Sequence, residues 1–274
     1  MKKVKSLREE FPSVIDRAYA QFKKRRFVED IMSKEVVTIT PEASMAEASR
    51  VMGAKHIGSL IVEVEGKPVG IVTERDLLSK ILAKGKDPER VSVREVMSSP
   101  LITIEPTATI KKAAQTMISK KGRLAVFRGE KLVGVITASD LIKSLPESPE
   151  TLMTVNSVMT KKVIMVPGNT SVGEVSKIMG EERIGSVIVT KEGKPFGIFT
   201  ERDLLTTFLT RGKPLKSRVG DAVSSPLITI PLGTSVHQTA LTMALKHIRR
   251  LPIIKDDEMV GIVTARDLVE AYAR

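Results

Sequence analysis

Short β-branched runs alternate with helical-period stretches along this chain. Four of the runs end at or just past a proline: Val36-Val-Thr-Ile-Thr-Pro41, Leu101-Ile-Thr-Ile-Glu-Pro106, Val163-Ile-Met-Val-Pro167 and Leu227-Ile-Thr-Ile-Pro231. Proline has no N–H to give to a ladder, so it closes a strand. Behind each run a hydroxyl residue opens an amphipathic stretch (Ser44, Thr109, Ser171, Ser235) that reaches a methionine (Met52, Met117, Met179, Met243). Three of these openings carry Glu47, Glu174 or Gln238 three residues on and predict capping boxes; Thr109 has Lys112 there instead. A second apolar run follows, such as Leu60-Ile-Val62 or Val187-Ile-Val189, then a turn such as Glu65-Gly-Lys-Pro68 or Glu192-Gly-Lys-Pro195. A third run, Gly70-Ile-Val72 in the first copy, leads into a last helix that starts at Thr-x-x-Asp. The predicted unit is α/β (α+β), ordered β-α-β-β-α. One such unit is too small to bury both faces of its sheet, so units should pair.

The pattern is a repeat, and repeats decide the architecture. Gly70-Ile-Val-Thr-Glu-Arg-Asp-Leu-Leu78 returns 127 residues on as Gly197-Ile-Phe-Thr-Glu-Arg-Asp-Leu-Leu205. Gly134-Val-Ile-Thr-Ala-Ser-Asp-Leu-Ile142 returns at the same offset as Gly261-Ile-Val-Thr-Ala-Arg-Asp-Leu-Val269. Ser98-Ser-Pro-Leu-Ile-Thr-Ile104 matches Ser224-Ser-Pro-Leu-Ile-Thr-Ile230 at 126, so the fourth copy should hold one extra residue, placed near Asp256-Asp257. The halves match each other better than neighbouring copies do, an A-B-A′-B′ order left by duplication of a two-repeat unit. The boundaries read as 1–27 for a basic, helical extension, then 28–88, 89–150, 151–214 and 215–274 for the four repeats.

Composition narrows the chemistry. The 274 residues contain no cysteine, which excludes disulfides, thiolate metal sites and cysteine nucleophiles. No apolar run approaches membrane-spanning length and the basic start lacks a signal-peptide core, so no membrane partner is expected and a cytoplasmic location is the default. Asn156, Asn169, Gln21, Gln115 and Gln238 are the whole complement of amides; with abundant Lys, Arg and Glu this points to a thermophile. The net charge of +12 attracts anions, or serves solubility alone. Seven Phe and two Tyr are few for a protein that stacks single-stranded bases.

The motif Thr-x-x-Asp occurs as Thr73/Asp76, Thr137/Asp140, Thr200/Asp203 and Thr264/Asp267. A threonine N-cap with aspartate at the third helical position is close to an ordinary capping box, which by itself accounts for four copies. The second helical position is less ordinary. It holds Arg75, Arg202 and Arg266, where a cation opposes the helix dipole. A bound phosphate explains them, since a helix start offers free N–H groups and a guanidinium adds bidentate bonds. A salt bridge to a nearby glutamate is the plain alternative. The second copy has Ser139 and should hold phosphate more weakly. Eleven residues before each motif glycine lie Ser59, Arg123, Ser186 and Arg250, one small and one basic lip per pair. The histidines His56, His237 and His247 form no metal-binding spacing, no catalytic serine or dinucleotide motif is present, and Gly168–Gly173 lacks a phosphate-loop lysine. No enzyme is expected.

Four copies of Gly-apolar-x-Thr-x-x-Asp after a strand, at this spacing, resemble the cystathionine-β-synthase (CBS) repeat over residues 28 to 274. The resemblance implies two paired units, known as Bateman modules, with ligand clefts between repeats. Chains of this kind resemble the nucleotide-sensing gamma subunit of AMP-activated protein kinase. It further implies that the motif aspartates grip ribose hydroxyls, that the motif threonines reach ribose or phosphate, and that Arg123 and Arg250 contact phosphate. Thr38, Thr103 and Thr229 fit the family position lining the base pocket, where the third copy has Met165. Ile57, Ile184 and Ile248 would flank a flat base, although plain core packing is the stronger reading of any one of them. The implied ligand is an adenine nucleotide (AMP, ADP or ATP), with S-adenosylmethionine or methylthioadenosine as the alternative. Further candidate partners are a protein effector, a second copy of the chain through its modules and, from the charge and Lys23–Arg26, a nucleic acid.

Overall fold

The computed structural model describes residues 27–144 and 153–274. The helix expected over Phe11–Phe22 and the basic run Lys23–Arg26 lie outside the described residues. Four mixed α/β units follow one another. The first contains β1 (Thr38–Ile39), α1 (Met45–Ala54), β2 (Ser59–Val64), β3 (Lys67–Thr73) and α2, which opens as Glu74–Asp76 and continues in π-helical turns over Leu77–Ile81. The second contains β4 (Thr103–Ile104), α3 (Ile110–Lys120), β5 (Leu124–Arg128), β6 (Lys131–Ile136) and α4 (Ala138–Ile142). The third contains β7 (Met165–Pro167), α5 (Val172–Glu181), β8 (Ser186–Lys191), β9 (Lys194–Thr200) and α6, which opens as Glu201–Asp203 and continues in π-helical turns over Leu204–Leu209. The fourth contains β10 (Ile230–Pro231), α7 (Val236–Lys246), β11 (Arg250–Lys255), β12 (Glu258–Thr264) and α8 (Ala265–Ala273).

In every unit the short first strand lies parallel to the second, and the second pairs antiparallel with the third. The hydroxyls of Ser44, Thr109, Ser171 and Ser235 each accept the backbone N–H three residues on, so all four cap α1, α3, α5 and α7 as expected. The reciprocal half of a capping box is found at the Thr-x-x-Asp helices instead. There the Asp carboxylate takes the Thr N–H as well, because the shorter Asp side chain folds back tightly over the first turn.

Adjacent units pair by exchanging their leading segments. Ser33 bridges Val135 and Ser98 bridges Ile71, so each leading segment crosses to the partner's sheet before returning to its own. The second half repeats this with Thr160 on Ile262 and Ser224 on Ile198. The motif glycine exists for this crossing. A Cβ on Gly70, Gly134, Gly197 or Gly261 would lie 2.9–3.0 Å from the carbonyl of Ser98, Ser33, Ser224 or Thr160.

The two modules close on one another within the chain, unit 1 against unit 3 and unit 2 against unit 4. Helix α1 packs on the π-helical end of α6, and α5 packs on that of α2. Gly53 and Gly180 permit this approach: a Cβ on Gly180 would sit 2.6 Å from the Leu78 carbonyl, and one on Gly53 would strike the Thr210 hydroxyl. Leu78 enters the core of unit 3 and Leu205 enters that of unit 1. Units 2 and 4 instead share one continuous core, in which Ile110, Ala113 and Met117 of α3 join Leu268 and Val269 of α8.

The length difference between copies does not lie at Asp256-Asp257. All four hairpins have two-residue turns, and Asp256 and Asp257 simply take the left-handed conformation of the Glu65-Gly66 turn. The second copy is the odd one: its helix-to-strand connection reads Lys121-Gly122-Arg123, whereas the others read His56-Ile57-Gly58-Ser59, Arg183-Ile184-Gly185-Ser186 and His247-Ile248-Arg249-Arg250. It lacks the isoleucine, and the sequence offset alone could not show on which side of the strand the step fell.

Candidate functional site

A cavity of about 880 Å3 opens at the meeting point of the four units. The connection described above and the start of the last helix of each unit converge on it. These helices are set by local chemistry. At each one the Asp Oδ2 atom accepts both the Thr N–H and the Thr hydroxyl, at 2.6–2.9 Å. Three of the threonine hydroxyls also accept the Asp N–H. The other carboxylate oxygen is the one a sugar would use. At Asp76 that oxygen already holds the Lys80 ammonium at 2.7 Å, and Asp76 is 7% exposed. Asp140, Asp203 and Asp267 are half-buried. Burial pushes all three carboxyls above the ordinary aspartate value, and the threonine hydrogen bonds oppose that shift.

Thr73/Asp76, Thr137/Asp140 and Thr264/Asp267 line the cavity; Thr200 and Asp203 do not. Arg75, Arg123, Arg202, Arg250 and Arg266 line it, as do Ile57, Ile184 and Ile248 and the variant Ser139. The strand threonines are placed elsewhere. Thr38 and Thr103 are exposed, Thr229 is half-buried, and none of them lines the cavity. Side chains alternate along a strand, so a residue one place away takes the inward position. Val37 beside Thr38 and Ile102 beside Thr103 stand in such places, line the cavity and pack against the cores, as does Ile164 beside Met165, whereas Ile228 beside Thr229 is exposed and does not line it.

The centre of the cavity is a charge cluster. Glu74 and Glu201, the first residues of α2 and α6, are 2% and 6% exposed. Arg250 Nη2 lies 3.0 Å from Glu201 Oε2, and Arg249 Nη2 lies 3.5 Å from Glu74 Oε2. Arg75 and Arg202 cross between modules, with Nε 3.7 Å from Glu201 Oε1 and 3.8 Å from Glu74 Oε1. Arg123 lies over Gly58 beside Glu74, and Arg250 lies over Gly185; a Cβ at Gly58 would press on the Glu74 carboxylate at 2.8 Å, and one at Gly185 would displace the Arg250 guanidinium. The salt-bridge explanation of Arg75 and Arg202 is thus realised, with partners supplied by the other module.

Burial works to raise the Glu201 carboxyl, but the guanidiniums of Arg250, Arg75, Arg249 and Arg123 together outweigh it and hold the carboxyl below its ordinary value. Burial lowers Arg123, Arg202 and Arg250, although a guanidinium keeps its charge at neutral pH. Five guanidiniums therefore face two carboxylates and leave a surplus of three positive charges. Such a surplus in a low-dielectric site calls for an anion. Glu74, Glu201 and Arg249 belong to this charge cluster and are missed by cap reasoning, which gives the first helical position no task. Their signal lies in the comparison of copies: Glu-Arg precedes the motif aspartate in units 1 and 3 against Ala-Ser and Ala-Arg in units 2 and 4. Among the described residues no group of three or more His, Asp or Glu side chains is arranged to hold a metal ion, and no helix is long and apolar enough to cross a membrane.

Comparison with known proteins supports the architecture. The CBS domain profile matches residues 28–83, 93–147, 155–209 and 219–274. The uncharacterised protein MJ1404 of Methanocaldococcus jannaschii is 30% identical over 265 residues, covering 90% of this chain and 62% of its own length. The uncharacterised protein MK0525 of Methanopyrus kandleri is 34% identical over 122 residues, covering 43% of this chain and 62% of its own. The chain thus spans about three-fifths of the length of these curated relatives. Among solved structures, protein MJ1225 of Methanocaldococcus jannaschii superposes with a TM-score of 0.74 at 23% identity, over 90% of this chain and all of that one. A conserved protein from Pyrococcus horikoshii gives 0.62 at 24% identity, over 90% of this chain and 99% of that one. With four repeats matched over most of its length, the chain belongs to the CBS domain family.

Proposed function

We propose that this protein is a non-catalytic regulator that binds adenine nucleotides, AMP, ADP or ATP. Asp140 and Asp267, and Asp76 once Lys80 is drawn aside, would accept the ribose hydroxyls, and the phosphates would point to the arginine cluster. The observation that carries this reading is a single cavity whose walls carry three motif aspartates together with Arg75, Arg123, Arg202, Arg249 and Arg250, the guanidiniums that cluster about the buried Glu74 and Glu201. A carboxylate only accepts hydrogen bonds and suits a diol; guanidiniums suit phosphate. The fold-level likeness to MJ1225, which has been proposed as an archaeal homologue of g-AMPK, is in keeping with a regulatory role. The sulfonium of S-adenosylmethionine would add a positive charge to a centre already in surplus, so charge favours the nucleotide.

Regulation follows if the ligand prefers one arrangement of the modules. Arg75 and Arg202 supply that preference, because each reaches across the module boundary. A phosphate that draws either arginine away weakens a contact between modules, and a protein effector would read the change.

Calorimetry with AMP, ATP and S-adenosylmethionine tests the proposal. Nucleotide should bind at up to three sites per chain. Arg75→Glu or Arg202→Glu should weaken it at least about tenfold, as expected for loss of a charged hydrogen bond of ~1.5–3 kcal/mol. No heat from either nucleotide, or an unchanged affinity in both variants, overturns the reading.

A further inference from the structure

The two buried glutamates are the least expected groups in an anion site, and nothing in the capping chemistry requires them. They stand at the junction of α2 and α6, which touch at their N-termini. Each carboxylate has one close arginine and one distant one. Arg250 and Arg249 are close and largely shielded, with side chains 13% and 29% exposed. Arg75 and Arg202 are distant, at 3.7 and 3.8 Å, and are 57% and 38% exposed. Glu74 Oε1, Glu201 Oε1 and Arg202 Nε are buried without a hydrogen-bond partner, so the contacts of Arg75 and Arg202 across the modules are electrostatic only, whereas Arg249, which also reaches across the modules, hydrogen-bonds Glu74 Oε2 at 3.5 Å. A buried charged group left without its hydrogen bonds is costly, and the side chains that can move to complete theirs are the two exposed arginines.

We infer that Glu74 and Glu201 are specificity-determining residues that limit how many phosphate groups the centre accepts. They act as resident anions, already in the place where further ligand phosphates would go. The inference rests on the nucleotide reading above and sharpens it. A monophosphate carries roughly −1.5 to −2 charges and falls within the surplus of three left by five guanidiniums against two carboxylates. It can engage Arg75 or Arg202 and leave the firm pairs intact. A triphosphate exceeds the surplus, and its terminal groups must approach the Glu74 and Glu201 carboxylates. Like charges at that range in a buried site repel strongly, so each carboxylate selects against the longer phosphate chain.

The test is the ratio of ATP to AMP affinity in Glu74→Gln, Glu201→Gln and the unaltered protein, measured by calorimetry without divalent metal. Each variant should raise the ratio by at least about tenfold, the order expected for removing one unit charge from a site with an effective dielectric of ~20. AMP affinity itself should change far less. A purely structural role would weaken or leave both affinities together, and an unchanged ratio in both variants overturns the inference. Loss of a carboxylate leaves arginines uncompensated, so stability provides a second measurement. Inorganic tripolyphosphate should raise the melting temperature of each variant more than that of the unaltered protein, because the added anion replaces the missing one. Equal shifts overturn the inference even where calorimetry fails. Tripolyphosphate selectivity with no nucleotide binding would instead discard the nucleotide reading and keep the role of the glutamates.

Discussion

Units 1 and 3 meet across the module boundary in a different way from units 2 and 4. The even pair shares one core, with α3 and α8 merging their apolar faces. The odd pair keeps two cores and trades leucines between them, the buried Leu78 for Leu205, with the half-buried Leu82 and Leu209 packed against both. Its helices loosen into π-helical turns there and lie close over Gly53 and Gly180. Only the odd pair carries Glu-Arg before the motif aspartate, so the buried glutamates and two of the arginines that reach across the modules, Arg75 and Arg202, sit on the side built from two cores. The same Thr-x-x-Asp cap serves all four units. The two residues inside the cap decide whether the helix start merely folds or also joins the charged centre. Units 2 and 4 are thus joined by one fused core, and units 1 and 3 by exchanged leucines and ion pairs.

The comparison breaks most visibly at the traded leucines. Leu78→Ala should cost about 2–5 kcal/mol, the usual range for a buried leucine truncated in a packed core. Because Leu78 belongs to unit 1 and packs in unit 3, thermal unfolding of the variant should show both modules weakened together. Destabilisation confined to the first module would show that the odd interface carries little.

A smaller effect is expected at Gly180. Its Cβ would meet the backbone carbonyl of Leu78 at 2.6 Å, so Gly180→Ala must push α5 off α2. Overpacking of this kind costs ~1–3 kcal/mol, readable as a lower melting temperature. The even pair has no such contact between α3 and α8, and Ala113→Gly in α3 should not mimic the separation of modules by small-angle scattering.

The smallest expected effect is in acid. Glu201 has its carboxyl below the ordinary value in the folded state, so its contribution is present above the ordinary glutamate value of 4.5 and fades as pH falls through the folded value. Asp140, Asp203 and Asp267 are raised, which has the opposite sign: ionising them costs stability as pH rises through their folded values. Glu201→Gln should therefore flatten the loss of stability below pH 4.5, and Asp267→Asn should lessen the penalty just above the ordinary aspartate range. Denaturant titrations across that range would show whether the odd-pair glutamate and the even-pair aspartate differ in sign.

Much of the fold was legible before any coordinates. Repetition at 127 residues, proline-ended strands and hydroxyl caps all act within a few residues of chain, and each returned as an element. The inward face of the first strand was less legible, because a two-residue strand gives too little alternation to set its register. Thr38 and Thr103 looked eligible, yet their neighbours Val37 and Ile102 turn to the cavity. The isoleucine missing from the second copy was likewise hidden in an offset that any loop could have absorbed.

The sequence by itself determined the four capped units and the pairing of neighbours, since a Thr–Asp box closes over three residues and a strand needs only its own side chains. Tertiary structure alone decided that Glu74 would face Arg249, 175 residues away, and that Arg75 would answer to Glu201 in the other module. Charges act through space and not along the chain, so which arginines are paired and which stay exposed depended on how the two modules pack on each other.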